Sequence, residues 1–193
     1  MTATSPQTAW ILLASGLVFF GTGLFYRVLS IQDKKLFEFL HLKLSSLVPF
    51  FRVCWILGKT WFAIIILCVL YFSGWSSGLP ATVLFAVIAC VERSIKLLLK
   101  RPRPFSVLEK TRMSQPKRPK DPSHPSGDSM RIWYLAFVVP TAFSLPWPIM
   151  IVFSCIAALV SIGRIALGVH FPLDVLGGIG LGLTGAALYK LCL

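Results

Sequence analysis

The sequence predicts an all-α integral membrane protein, a six-helix bundle with an interfacial amphipathic helix and its polar loops on one face. Three observations lead there. Hydrophobic residues make up 56% of the 193 and charged residues only 13%, with a mean hydropathy of +0.78, far from ordinary soluble usage. Apolar runs close to the ~20 residues that a helix needs to cross the hydrocarbon layer recur along the chain. The net charge of +12 lies in the segments between those runs and forms no tail.

The first run, about Ala9 to Tyr26, ends at Arg27. No basic residue lies between Met1 and Thr8 and no small-residue cleavage site follows, so a retained span is expected in place of a secretory signal. From Ile31 to Phe51, Leu36, Phe39, Leu40, Leu44 and Leu47 recur at helical spacing among Lys34, Lys35, Glu38 and Lys43, the pattern of an interfacial amphipathic helix. A second span is expected over Val53 to Phe72, with Lys59 inside it or near its edge, followed by a Ser- and Gly-rich turn from Ser73 to Pro80. The third, Ala81 to Leu99, carries Glu92 and Arg93, which are too costly to face lipid. Lys100 to Pro125 is a basic, proline-rich loop. Ser126 to Phe143 gives the fourth span, Ser144 to Pro148 a turn, and Ile149 to Ile165 the fifth. The sixth, Phe171 to Leu188, holds Gly177, Gly178, Gly180, Gly182 and Gly185, which permit close helix packing. No repeat or separable soluble domain interrupts this, so residues 1–193 are expected as one membrane-embedded domain. Cys54, Cys68, Cys90, Cys155 and Cys192 all fall in or beside apolar runs without paired spacing and read as packing residues.

If the spans alternate, residues 27–52, 100–125 and 164–170 open on one side of the membrane. The turns on the other side, 73–80 and 144–148, hold no Lys or Arg. Basic loops beside apolar spans suit anionic phosphate or lipid headgroups, and no nucleic-acid partner is expected.

Within those loops, three stretches carry chemistry. Pro172 fits the first turn of the last helix, which places His170 at its mouth and Asp174 one turn along the same face. A carboxylate so placed accepts one imidazole N–H and leaves the other ring nitrogen free to attack an electrophile. Arg164 precedes the bend and offers a bidentate clamp for an oxyanion. A purely structural reading stays open: Asp174 favours the helix dipole, His170 occupies a polar loop and Arg164 anchors a helix end. Lys96 stands two turns before Arg103, and Pro102 ends the helix between them, which is also the pattern of an interface anchor. Ser126 is a fitting N-cap, and Gly127 lets a ligand approach the amides of that helix start, where anions are favoured. An ordinary capped helix start has the same sequence.

Taken together the three stretches resemble the signatures of the type 2 phosphatidic acid phosphatases, a superfamily that includes the vanadium haloperoxidases. Lys96 to Pro104 matches Lys-x6-Arg-Pro. Pro125-Ser126-Gly127 matches Pro-Ser-Gly-His, with Asp128 in the place of the histidine. Arg164 through His170 to Asp174 matches Ser-Arg-x5-His-x3-Asp, with Gly163 for the serine. The core motifs thus span residues 96–174. The resemblance implies a lipid phosphatase or diphosphatase with no metal or other cofactor. In it His170 attacks phosphorus to form a phosphohistidine and Asp174 orients it. Lys96, Arg103, Arg164 and the amides around Ser126 and Gly127 hold the phosphoryl oxygens.

Asp128 is the departure, because the family's histidine there protonates the leaving group, whereas a carboxyl of unperturbed pKa about 3.9 is ionised at neutral pH. Three accommodations are open: Asp128 acts as a protonated acid, His124 takes the role, or the substrate needs little acid help. Loss of a general acid, worth roughly 10² to 10⁴-fold, penalises a monoester more than a diphosphate, so an isoprenoid or other lipid diphosphate is favoured over phosphatidate. The alternative from another class is an impaired relative that binds phospholipid headgroups or scaffolds membrane partners. The basic loops favour a cytoplasmic active-site face by charge bias, whereas membrane relatives generally present the site to the periplasm, lumen or exterior. The membrane and the oligomeric state have no signature in the sequence.

Overall fold

Every regular element among the described residues, 6–193 with side chains from residue 7, is helical in the computed structural model. Met1 to Ser5, part of the stretch read for a cleavage signal, lie outside the described residues. In chain order the helices are α1 (Pro6–Leu24, extended by a turn at Phe25–Arg27), α2 (Ser30–Lys43), α3 (Val48–Cys54), α4 (Thr60–Leu70) and α5 (Trp75–Leu99). They continue with α6 (Pro104–Val107), α7 (Gly127–Ala142), α8 (Trp147–Ala166) and α9 (Pro172–Leu191).

Helix α9 forms the axis. It is buried along most of its length and packs chiefly on α1 and α7. Its glycines make this possible: a Cβ on Gly178 would run into the Ser126 carbonyl and the Ser129 side chain of α7. Where helices are drawn together without a hydrophobic driving force, such close backbone approach supplies the packing. Beside it, Leu70 of α4, Ala81 and Ile88 of α5, and Met130 and Tyr134 of α7 close the largest core cluster with Tyr189. The buried Tyr134 hydroxyl is satisfied by donating to the Ala81 carbonyl at 2.6 Å. Outward rows such as Trp10, Val18, Ile64 and Val152 are exposed apolar surface, as expected where the solvent is lipid.

Three helices, Gln7–Arg27, Trp147–Ala166 and Pro172–Leu191, are each long and apolar enough to cross a bilayer, and up to four spans result if the bent pair Ser30–Lys43 with Ser45–Gly58 counts as one. The chain is an integral membrane protein. Length and apolarity alone therefore give fewer spans than the six expected: α4, with 11 residues, and α7, with 16, are short, α3 and α4 are separate, and the 25-residue α5 is not among the spans. Three local expectations change accordingly. The amphipathic stretch 31–51 is not one helix: the path bends by 58° after α2, since Pro49 opens α3 and cannot continue the helix before it. Leu36 and Phe39 do lie exposed along α2, while Asp33 and Phe37 turn inward and are buried. The expected span Val53 to Phe72 breaks at Lys59, whose backbone is extended. The expected turn at 73–80 shrinks, because α5 already begins at Trp75 and carries Pro80 inside it. Non-helical backbone at membrane depth is tolerated where it lines a protein cavity, and the Lys59 break does so.

Candidate active site

The bend between α8 and α9 presents His170, and the first turn of α9 presents Asp174. Asp174 Oδ2 accepts the Phe171 amide N–H at 2.9 Å, so it caps the helix it opens. The same carboxylate serves the histidine, though not directly. His170 Nδ1 is 3.7 Å from Asp174 Oδ2, beyond hydrogen-bond reach. It lies 3.4 Å from the Ser123 hydroxyl, which donates in turn to Asp174 Oδ2. On the other edge of the ring, Arg103 Nη1 stands 3.2 Å from Nε2. A guanidinium can only donate, so Nε2 is the acceptor and Nδ1 carries the proton. Burial, with Arg103 beside it, lowers the His170 imidazole to about 3, leaving a neutral ring with its Nε2 lone pair toward the cations.

Asp174 is itself buried in a charge chain. Its Oδ1 pairs with Arg101 Nη1 at 2.7 Å, and Arg101 Nη2 reaches Asp33 on α2. Asp33 Oδ1 also accepts the Leu173 amide at 3.0 Å. The Arg101 guanidinium lies between the rings of Tyr26 and Phe171, 4.6 and 4.4 Å from their centroids. A buried carboxylate is tolerable only when paired and hydrogen-bonded, and this chain supplies both for Asp174.

A cleft of about 650 Å³ opens at His170, with nine Lys or Arg side chains on its walls against two carboxylates. Lys96, Arg103, Gly127, Asp128 and Arg164 all line it, so the sequence-selected residues of three separate segments converge. Their charges are engaged within the protein. Lys96 pairs with Glu92 at 2.6 Å and with Asp121. Arg103 holds Asp121 Oδ1 at 3.0 Å and the Val169 carbonyl at 3.0 Å. Arg164 Nη1 lies 2.9 Å from Asp128 Oδ2, and its Nη2 donates to Gln115 at 2.6 Å. Asp128 shares its other oxygen with Arg131. Although burial pushes the Asp121 carboxyl up, Lys96 and Arg103 hold it well below the usual carboxylate range.

Two candidates stand elsewhere. Ser126 is buried with its hydroxyl accepting from Ser129 at the start of α7, and its N–H donates to the Asp174 carbonyl at 2.9 Å; of the two amides expected at the phosphate, only Gly127 borders the cleft. His124 is wholly buried behind Asp174, stacked on Tyr26 at 5.5 Å with Nδ1 3.4 Å from Asp174 Oδ1. It does not border the cleft. Sequence reasoning missed Asp33, Arg101, Asp121, Ser123 and Arg131. Only nearness to the motifs could have drawn attention to Arg101, inside the Lys96–Pro104 stretch, and to Ser123, two residues before Pro125. No group of three or more His, Cys, Asp or Glu among the described residues is arranged to hold a metal ion.

The model of the PAP2 superfamily matches residues 77–193, more than half of the chain. The chain belongs to the PAP2 superfamily. An undecaprenyl-diphosphatase of Sulfolobus acidocaldarius is 32% identical over 105 residues, 54% of this chain and 50% of that protein, so the match spans about half the relative's length. The crystal structure of Aquifex aeolicus LpxE is similar with a TM-score of 0.71 at 26% identity, over 80% of this chain and 92% of that one. The first transmembrane PAP2-type phosphatidylglycerolphosphate phosphatase from Bacillus subtilis gives 0.72 at 24% identity, over 93% and 94%, a likeness of fold. In this PAP2 chain the carboxylate of Asp128 bridges two arginines, Arg131 and Arg164, at the cleft.

Proposed function

We propose that this PAP2 protein is a lipid phosphatase that removes a phosphate or diphosphate-terminal phosphate from a membrane lipid through a phosphohistidine. The observation that carries the reading is the His170 ring: proton on Nδ1 toward Ser123 and Asp174, lone pair on Nε2 among cations at the cleft. Nε2 attacks phosphorus, and the Ser123–Asp174 pair stabilises the ring as it becomes charged. Lys96, Arg103 and Arg164 receive the phosphoryl oxygens, whose charge replaces that of Asp121 and Asp128 at these cations. The undecaprenyl-diphosphatase likeness supports a lipid substrate whose tail stays in the bilayer beside the exposed apolar helices.

A second reading has one observation in its favour. Asp121 and Asp128 already neutralise the clamp, as they would in an impaired relative that only binds headgroups. One experiment separates the two. Detergent-purified protein in EDTA is offered a lipid monophosphate and a lipid diphosphate from about pH 4 to 8, beside His170→Ala. Phosphate release that falls by at least about 10³-fold in the variant is the expected result, since removal of a nucleophile abolishes its route. No release, or equal release from the variant, counts against the His170 phosphatase and favours the binding or scaffold reading.

A further inference from the structure

Asp128 holds a second arginine in the cleft. Its Oδ1 pairs with Arg131 Nη2 while its Oδ2 pairs with the clamp residue Arg164, so one carboxylate sets two guanidiniums side by side. Arg131 has a further restraint, its Nε donating at 2.8 Å to the carbonyl of Gly58, at the break before Lys59. Gly58 is needed at this spot, because a Cβ there would come within 2.8 Å of the Asp128 side chain. Arg131 lines the cleft, and its Nη1 makes no protein hydrogen bond among the described residues. A guanidinium fixed at two nitrogens and open at the third is a preorganised donor. Lys59 borders the same cleft with its ammonium 3.3 Å above the Trp55 ring.

We infer that Arg131, positioned by Asp128 and the Gly58 carbonyl, stabilises the leaving group as an anion, doing by charge what an acid does by proton transfer. The inference rests on the phosphatase reading above. It matches the cleft to a leaving group that departs as an anion, the lipid monophosphate released from a lipid diphosphate. His170 Nε2 forms a bond to the terminal phosphorus, and the bond from that phosphorus to the bridging oxygen breaks. The electron pair leaves on the bridging oxygen, so lipid monophosphate departs as a dianion beside Arg131 and no proton is required. Water then adds to the phosphohistidine. The P–N electron pair returns to Nε2, and both water protons leave with inorganic phosphate as dihydrogen phosphate. An alkoxide leaving from a monoester has no such route, because a guanidinium stays protonated and does not give up a proton to the leaving oxygen.

The test compares farnesyl diphosphate with farnesyl monophosphate, in detergent micelles, for the wild type, Arg131→Ala, Arg131→Lys and Asp128→His. Removing one preorganised donor costs on the order of 10² to 10³ in kcat, so Arg131→Ala is expected to lower the diphosphate-to-monophosphate ratio of kcat by at least about tenfold. Arg131→Lys, which keeps the charge, is expected to recover part of that ratio. Asp128→His, which restores an acid, is expected to raise monophosphate turnover by about tenfold or more, within the range of general acid catalysis. Equal losses on both substrates in Arg131→Ala, with no gain in Asp128→His, overturn the inference while leaving the His170 phosphatase intact. A wild type that releases no phosphate from either substrate overturns both. Melting curves in detergent identify any variant that fails to fold, and the Asp128→His gain is then the deciding result.

Discussion

At His170 the geometry assigns the two ring nitrogens different work, and the assignment can be read by titration. Burial and Arg103 lower the imidazole to about 3 from an ordinary 6.5, while Asp174 opposes them. The groups facing the ring are Arg103, Arg164, Ser123 and Asp174. Between about pH 3 and 6.5 the unfolded chain therefore holds a proton on this residue that the folded protein lacks. The difference in bound protons is positive, so stability contributed here rises with pH across that window and is lost on acidification. Nitrogen NMR of histidine-labelled protein is expected to show one ring, absent from His170→Gln, that does not titrate from pH 7 down to 4.5. Thermal melts over the same range should fall more steeply for the wild type than for His170→Gln. A ring titrating near 6.5 contradicts the burial. His170 and Asp174 were legible in the sequence because helical spacing relates them. Ser123, which carries the hydrogen bond between them, was not, since nothing in a proline-rich loop announces which hydroxyl will fold back 51 positions in sequence to a carboxylate.

Among the elements, α7 and α9 decide whether the site assembles, because the Ser126 N–H reaches the Asp174 carbonyl across their contact. Gly178 sets that distance. A Cβ there meets the Ser126 carbonyl, whereas a Cβ on Gly21 of α1 meets nothing within 4 Å. Gly178→Ala is therefore expected to destabilise by about 1–3 kcal/mol through overpacking, and to lower kcat as α7 shifts from Asp174. Gly21→Ala, in an open helical position, is expected to be neutral or stabilising by about 0.5–1 kcal/mol. Melting temperatures and turnover of both variants, measured in one detergent, check the pair; equal effects contradict this account of the contact. The glycine-rich pattern of α9 was legible as close packing. The break at Lys59 was not. Hydropathy over Val53 to Phe72 measures how apolar a run is and is blind to its path, so an interrupted helix whose break is stabilised by Arg131 from a distant segment reads as one span. The early start of α5 was hidden for another reason: Ser76, Ser77, Gly78 and Pro80 read as turn residues, although they lie in the first turns of the helix.

The molecule as a whole brings three chain segments to one end. Asp33 of α2, Arg101, Arg103 and Asp121 from the loop after α5, and His170 and Asp174 at the start of α9 are linked by ion pairs and hydrogen bonds. Alternation of spans had placed those segments on one side, and the site requires it: a buried carboxylate such as Asp174 is stable only if its partners arrive from the same side of the bilayer. Ser76 lies at the other end of α5, twenty residues before Lys96, a separation of about 30 Å along a helix. Single cysteines placed by Lys35→Cys, Lys110→Cys and Ser76→Cys in a cysteine-free background test the arrangement, since all three positions are exposed. In sealed, uniformly oriented vesicles a charged, membrane-impermeant maleimide is expected to treat Lys35→Cys and Lys110→Cys alike and Ser76→Cys oppositely. If the first two are protected from outside reagent, the site faces the interior of that vesicle; if they label readily, it faces out. Opposite labelling of Lys35→Cys and Lys110→Cys contradicts the fold, because α2 could then not deliver Asp33 to Arg101.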